Sequence, residues 1–272
     1  MPEKIQIELG KVQETLLLPL WGRAVETQKE NPRLTDTTAL EILNKIDYDF
    51  SIFEKNLSFI IQYTWIARAL HIDNTIKEYL KNNPFGIIIN IGCGLDTTFS
   101  RIDNGSVQWF DIDLPDVMEL RKKFIQTTNR QRSIITSFLE KDWLNEFKKN
   151  DYPLLIAGGV FYYFEENQIK NFFIRISDKF LSSELLFDIA SPLGVKVSNE
   201  KVLKSSGMDD SSVLKWGIKK AKDMEKWDDR IKVLKEFPMF RKMKKGFSLK
   251  GKYGLFMADC LKIMSLVHLR IG

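Results

Sequence analysis

The sequence is poor in the residues on which much enzyme chemistry depends. It contains 2 cysteines, Cys93 and Cys260, and 2 histidines, His71 and His268, among 272 residues. Two cysteines cannot build a disulfide framework, so a reducing cytoplasm is the expected compartment. No metal is expected. No apolar run is long enough to span a bilayer. The first residues, Met1-Pro2-Glu3-Lys4-Ile5-Gln6, lack the basic stretch and apolar run of a signal peptide. Internal repeats and low-complexity tracts are also absent.

What is present is ample core material. Apolar residues make up 44% of the chain, enough for one large domain with a two-sided core, or for a domain with a small cap. The net charge of +5 is unevenly spread: residues 196–272 carry 19 Lys and Arg against 9 Asp and Glu, leaving the rest net acidic. Such a basic third serves either an anionic partner or a solvated lysine-rich surface.

Hydrophobic periodicity divides the chain into three zones. Residues 1–83 read as a helical cap. A helix over 35–47 is capped by Thr35 or Asp36 and buries Leu40, Ile42, Leu43 and Ile46. Another runs through 56–82, and Pro84 stops it. From residue 84 the pattern changes to short apolar runs separated by amphipathic stretches. Phe85–Ile91, Val107–Ile112, Ile134–Thr136, Pro153–Gly158 and Glu184–Ile189 read as strands, with helices at 115–127 and 165–181. This alternation implies a parallel sheet covered by helices on both faces. Beyond residue 192 we expect a helix around 209–222 and strands at Ile231–Phe237 and Leu261–Leu269, with Arg241–Gly246 as a polar loop.

One segment points to chemistry. Gly92-Cys93-Gly94 follows the first buried strand, where a glycine turn lets the backbone approach a nucleotide-like ligand and the next helix offers free N–H groups. Asp111 and Asp113 lie 17 and 19 residues beyond Gly94. That spacing places an acid at the tip of the neighbouring strand, where it can accept from ribose hydroxyls. A dinucleotide fingerprint wants a third glycine where this chain has Thr97, so S-adenosylmethionine is favoured over NAD. Asp142-Trp143, after the third strand, reads either as an adenine-binding acid and aromatic or as a helix cap beside a core tryptophan. Tyr162 and Tyr163, after the fourth strand, either line an acceptor pocket or pack under the cap. His71 and His268 read as structural, and Glu165 and Glu166 as the start of a helix. No catalytic base is assigned.

The chain resembles the leucine carboxyl methyltransferase superfamily, in the branch related to the tetracenomycin polyketide O-methyltransferase. The resemblance rests on Glu14–Ala24, Ile46–Phe50, Ala67-Arg68-Ala69-Leu70, Asn90–Thr97, Asp111-Ile112-Asp113-Leu114-Pro115, Ala157–Tyr163 and Glu184–Asp188. It implies an α/β class I methyltransferase fold: a Rossmann-like seven-stranded mixed sheet with an antiparallel last strand over residues 84–272, capped by the N-terminal helices of residues 1–83. It also implies that Arg68 pairs with the methionyl carboxylate of S-adenosylmethionine, as a guanidinium fork suits. Where many relatives carry an acid, this chain has Gly158.

The expected cofactor set is therefore Arg68, Gly92, Gly94, Asp111, Asp113, Asp142, Trp143 and Gly158, with Tyr162 and Tyr163 at the acceptor. The expected reaction is O-methylation of a small-molecule carboxylate or phenol, with neither nucleic acid nor membrane as partner. A protein-carboxyl methyltransferase, a nucleic-acid methyltransferase, a NAD(P) oxidoreductase and a non-catalytic cofactor binder remain as alternatives.

Overall fold

The computed structural model describes residues 4–7, 13–208 and 212–272. Two short strands, β1 (Ile5–Gln6) and β2 (Ile46–Asp47), pair in parallel among the N-terminal helices α1 (Leu17–Thr27), α2 (Thr37–Lys45), α3 (Ser51–Asn56) and α4 (Phe59–Asn82). Asp36 caps α2 by accepting from the Ala39 N–H at 3.0 Å. The sheet then builds through β3 (Ile87–Ile91), β4 (Gln108–Asp113), β5 (Gln131–Ile135), β6 (Leu154–Ala157) and β7 (Ser183–Ala190). Between these strands run α5 (Thr98–Ile102), α6 (Pro115–Lys122) and α7 (Glu166–Lys179), and α8 (Pro192–Ser198) follows β7. The chain continues through β8 (Ile231–Pro238), α9 (Leu249–Cys260) and β9 (Met264–Ile271).

The seven main strands lie in the order β5-β4-β3-β6-β7-β9-β8. β3 to β7 pair in parallel, and β9 runs antiparallel to both β7 and β8. This is the mixed sheet expected of a class I methyltransferase. The strand order reverses between β3 and β6, the point where an open α/β sheet leaves a crevice at its carboxyl edge.

Alternation along the strands fills both faces. Ile89, Ile91, Phe110, Leu155, Leu185 and Phe187 meet α7 through Ile169, Phe172, Phe173 and Ile176. On the other face Ile88, Trp109, Leu154, Ile156 and Leu186 meet α4 through Ile66, Ala69, Ile72 and Ile76. From Ile66 onward α4 thus covers the sheet, while Ile61 and Trp65 near its beginning pack with α1 and α2.

Three differences from the sequence reading have clear causes. β5 begins at Gln131, earlier than expected, because an edge strand tolerates the polar run Gln131-Arg132-Ser133. The helix expected around 209–222 begins in residues outside those described. The described residues 212–220 are largely irregular, and a short 3-10 turn follows at Ala221–Lys226. Helix α9 was not foreseen, because two glycines lower its propensity. Tertiary packing compensates: Gly251 lies against Phe59 and Phe247, and Leu255 is buried. Among the described residues no helix is long and apolar enough to cross a membrane, and no cluster of His, Cys, Asp and Glu could hold a metal.

Candidate functional site

A cavity of about 690 Å³ opens at the carboxyl ends of β3, β4 and β6. Its floor is the turn after β3. Gly92 and Gly94 have φ of +60° and +47°, backbone that L side chains rarely adopt. A Cβ at Gly92 would also meet Val160 Cγ2 at 2.7 Å. Both glycines line the cavity.

The turn is fixed from outside by two arginines. Arg121 of α6 donates from Nη1 to the carbonyls of Gly94 and Asp96, at 2.9 and 2.7 Å. Arg23 of α1 donates to the Leu95 carbonyl at 3.1 Å. Both are buried and both are held by buried acids. Arg121 pairs with Asp111 at 2.9 Å and Arg23 with Asp36 at 2.9 Å. Asp36 also accepts from Arg101 Nη1 at 2.7 Å and from the Thr97 hydroxyl at 2.5 Å. Burial alone would raise its pKa, but Arg23 and Arg101 outweigh burial and hold it below the usual carboxylate value. Thr97, at the position where a dinucleotide site has glycine, is therefore the joint between the cap and the turn.

The two acids of β4 have different jobs. Asp111 is fully buried. Its Oδ1 accepts from Asn90 Nδ2 (3.0 Å) and Trp109 Nε1 (2.8 Å), and its Oδ2 from Arg121 Nη2 (2.9 Å) and Gln131 Nε2 (2.8 Å). Four donors saturate it, and it is not part of the cavity wall, so the ligand-contacting role expected of it does not fit its placement. Asp113, one pleat further along, lines the cavity. It accepts from the backbone N–H of Gly94 at 2.7 Å and of Leu114 at 2.8 Å. Burial raises its pKa against those hydrogen bonds.

Asp142 and Trp143 are also displaced from the expected role. Asp142 is exposed at the start of a 3-10 turn, and Trp143 is a core residue whose Nε1 donates to the Phe138 carbonyl at 3.2 Å. Neither lines the cavity. Thr136, Ser137 and Phe138, directly after β5, do so instead. The position of Phe138 at the end of a parallel strand was the available signal.

On the β6 side Arg68 reaches from α4 into the cavity wall. Its Nη1 donates to Asp188 Oδ2 at 2.8 Å and to the Tyr162 hydroxyl oxygen at 3.1 Å. Burial opposes its charge, and Asp188 outweighs burial and keeps it ionised. No hydrogen bond from Nε or Nη2 is found to the described residues. The other oxygen of Asp188 accepts from the Gly159 N–H at 2.7 Å. Asp188 thus joins Arg68 to the Gly158-Gly159 turn. A Cβ at Gly158 would sit 3.8 Å from Arg68 Nε, so an acid there would address the same guanidinium that Asp188 holds.

Tyr162 and Tyr163 both line the cavity, and burial raises both phenols, so neither is ionised near neutrality. Beyond them, toward β7 and β9, the wall comes from scattered elements: Ile60, Ile61 and Trp65 of α4, Val202, Leu214, Phe240 and Met264. Lys201 and Lys215 stand at its exposed rim. None of these was named from sequence. The histidines lie elsewhere. His71 bonds the Met239 carbonyl at 2.9 Å, and burial lowers its pKa; His268 bonds Glu184 at 2.6 Å.

Comparison with known proteins gives a consistent result. The family model described as leucine carboxyl methyltransferase matches residues 17–177. The chain is 31% identical to the tetracenomycin polyketide synthesis O-methyltransferase TcmP of Streptomyces glaucescens, over 80% of each chain. It is 24% identical to the S-adenosyl-L-methionine-dependent methyltransferase dpfgK of Gibberella zeae, over 99% of this chain and 96% of that one. Among solved structures, a DUF574 family protein of Streptomyces avermitilis superposes with a TM-score of 0.56 at 11% identity, covering 93% of this chain and 97% of that one. A SAM-dependent methyltransferase of Anabaena variabilis superposes with a TM-score of 0.52 at 12% identity, covering 75% and 84%. These two structures share the fold.

Proposed function

This chain belongs to the leucine carboxyl methyltransferase family and is an S-adenosylmethionine-dependent methyltransferase, and on that premise we propose that it methylates a carboxylate or phenolic oxygen of an apolar small molecule. The observation that carries this reading is a cavity joining the Gly92–Gly94 turn to an apolar wall that, among the described residues, offers no free base.

The residues suit the cofactor. The glycine turn lets a ligand approach the backbone, Asp113 offers a carboxylate at the tip of β4, and Arg68 keeps N–H groups for an anionic group. In our reading Arg68 takes the methionyl carboxylate and Asp113 the ribose hydroxyls, while Phe138 lies where an adenine ring can pack. Bound S-adenosylmethionine supplies the electrophilic methyl group. The protein's contribution is to place an acceptor oxygen in line with that methyl and to exclude water, which can supply ~7–11 kcal/mol of the barrier.

A carboxylate acceptor is favoured over a phenol. It is already anionic near neutral pH, whereas a phenol benefits from a base. The acids on the wall, Asp96 and Asp113, are already engaged by backbone N–H groups, and the tyrosines are protonated. Lys201 at the rim suits an anionic acceptor. Both cysteines are unpaired, in keeping with a cytoplasmic setting, and nucleic acid has no part in this reading.

The test is transfer of labelled methyl from the cofactor to a panel of apolar carboxylic acids, phenols, peptides with free C-termini and RNA. Base-labile label on the apolar acids is the expected outcome. Label confined to peptides or RNA overturns the small-molecule reading, and absence of any calorimetric signal with S-adenosylmethionine overturns the cofactor site.

A further inference from the structure

We propose that the outer face of α9, with the loop leading into it, is a docking surface for an anionic phospholipid bilayer. The argument starts from which side chains α9 leaves uncovered. Leu249, Tyr253 and Phe256 are 85%, 65% and 51% exposed. Their spacing puts them in one stripe along the helix. The opposite side is occupied: Gly251 and Leu255 are buried, and Ala258 lines the cavity. Phe59 is also exposed, and it packs with Phe247 at Gly251, on the covered side of the helix. Apolar residues of this size, aligned and exposed together, mark an interaction surface.

The charge around the stripe selects the partner. Residues 241–262 contain seven cations and one acid, Asp259. Asp259 is taken by Lys244 at 2.7 Å, and Lys262 is taken by Glu236 at 2.9 Å. Arg241, Lys242, Lys245, Lys250 and Lys252 are exposed and form no salt bridge among the described residues. A second copy of the same face would bring like charges together, which opposes self-association. Protein interfaces are depleted in lysine and favour arginine, whereas here four of these five cations are lysines. Long lysine stems extend past buried apolar groups to reach phosphates. A helix with Leu, Tyr and Phe on one face and lysines beside them is the arrangement that lies in a bilayer interface without spanning it.

The position of the surface gives it a use. Phe240 precedes it, Ala258 belongs to α9, and Ile263 and Met264 follow it; all four line the cavity. Docking there would bring the apolar end of the cavity, which lies behind α9, close to a membrane in which amphiphilic acceptors concentrate. The docking claim stands apart from the choice of acceptor, and its test does not use methyl transfer.

Cys260 ends α9 and is exposed, whereas Cys93 is buried, so an environment-sensitive fluorophore on Cys260 reports on this face. The full chain, labelled there, is mixed with vesicles of phosphatidylcholine alone or with added phosphatidylglycerol. A blue shift and co-sedimentation with the anionic vesicles only, weakened by salt, is expected. Replacing Leu249, Tyr253 and Phe256 together with serine, or Lys245, Lys250 and Lys252 together with glutamate, is expected to lower partitioning more than about tenfold. Melting temperature and S-adenosylmethionine affinity are expected to stay as in the parent. Equal partitioning by parent and variants overturns the proposal, as does absence of partitioning at low salt. A concentration-dependent dimer that the serine variant abolishes, with no vesicle binding, assigns the face to self-association instead.

Discussion

The two ends of the cavity are built on opposite principles. At the β3–β4 end the wall is mostly backbone, from one short turn whose carbonyls are held by Arg23 and Arg121 and whose arginines are held by Asp36 and Asp111. At the β7–β9 end the wall is side chain: Ile60, Trp65, Val202, Leu214, Phe240 and Met264 arrive from several elements, with Leu214 and Phe240 held through their backbone by the side chains of Asn199 and Asp259. A backbone site fixed by buried charges recognises one ligand and tolerates little change. An apolar wall assembled from separate elements can alter its shape by single substitutions, so on the proposed reading specificity for the acceptor can drift while the cofactor site stays constant.

The comparison breaks first, and most severely, at the ion network. Asp36→Ala leaves Arg23 and Arg101 short of a partner in the interior. The expected cost is roughly 3–5 kcal/mol of stability, read by denaturant unfolding, with cofactor affinity falling in the same variant. Gly92→Val forces a β-branched residue to positive φ and against Val160. Calorimetry should show S-adenosylmethionine affinity down by more than about a hundredfold, in a protein whose strands remain formed. Asp188→Asn keeps the shape but removes the charge that holds Arg68. Here the KM for the cofactor rises about tenfold or more, and kcat for the acceptor changes much less. Retention of wild-type cofactor KM would show that Arg68 does not meet the cofactor.

Acidity gives a further handle on the same end. In the proposed site Asp113 accepts ribose hydroxyls best when ionised, and burial raises its pKa. Cofactor affinity is therefore full at neutral pH and declines as pH falls, with onset above the ordinary aspartate range; Asp113→Asn removes that dependence along with most of the affinity. The smallest effect belongs to the apolar end. Leu214→Ala enlarges the wall and shifts the ranking of acceptors by about 1–3 kcal/mol in relative kcat/KM, while cofactor affinity stays as in the parent.

The same contrast explains what could be read in advance. The turn, the flanking strands and Asp113 were legible because their chemistry is local: glycines after an apolar run, and an acid at a fixed spacing. Arg68 came only through family resemblance, since nothing in a helical Ala-Arg-Ala-Leu points to a cavity. Asp111 was expected at the ligand because sequence spacing cannot tell the tip of a strand from one pleat below it. Asp142-Trp143 drew the adenine reading because an acid beside an aromatic carries apparent chemistry, whereas Phe138, which lines the cavity, carries none in sequence. The acceptor wall was invisible, because an isoleucine or methionine that faces a cavity reads the same as one that faces a core. Helix α9 was missed because its glycines depress propensity, while burial of Leu255, contact with Phe59 and Phe247 and the Ser248 cap stabilise it.

The pinning of the Gly94, Leu95 and Asp96 carbonyls has a consequence for how the cofactor arrives. A flexible phosphate-type loop freezes when its ligand binds, and that freezing appears as an unfavourable entropy and a slow induced-fit phase. Here the turn is ordered beforehand by side chains from α1 and α6. Association is therefore expected to follow a single kinetic phase, with a heat-capacity change no larger than the contact area requires. In the proposed site the protein would thus meet its cofactor as a rigid receptor, and motion during turnover would be left to the acceptor side.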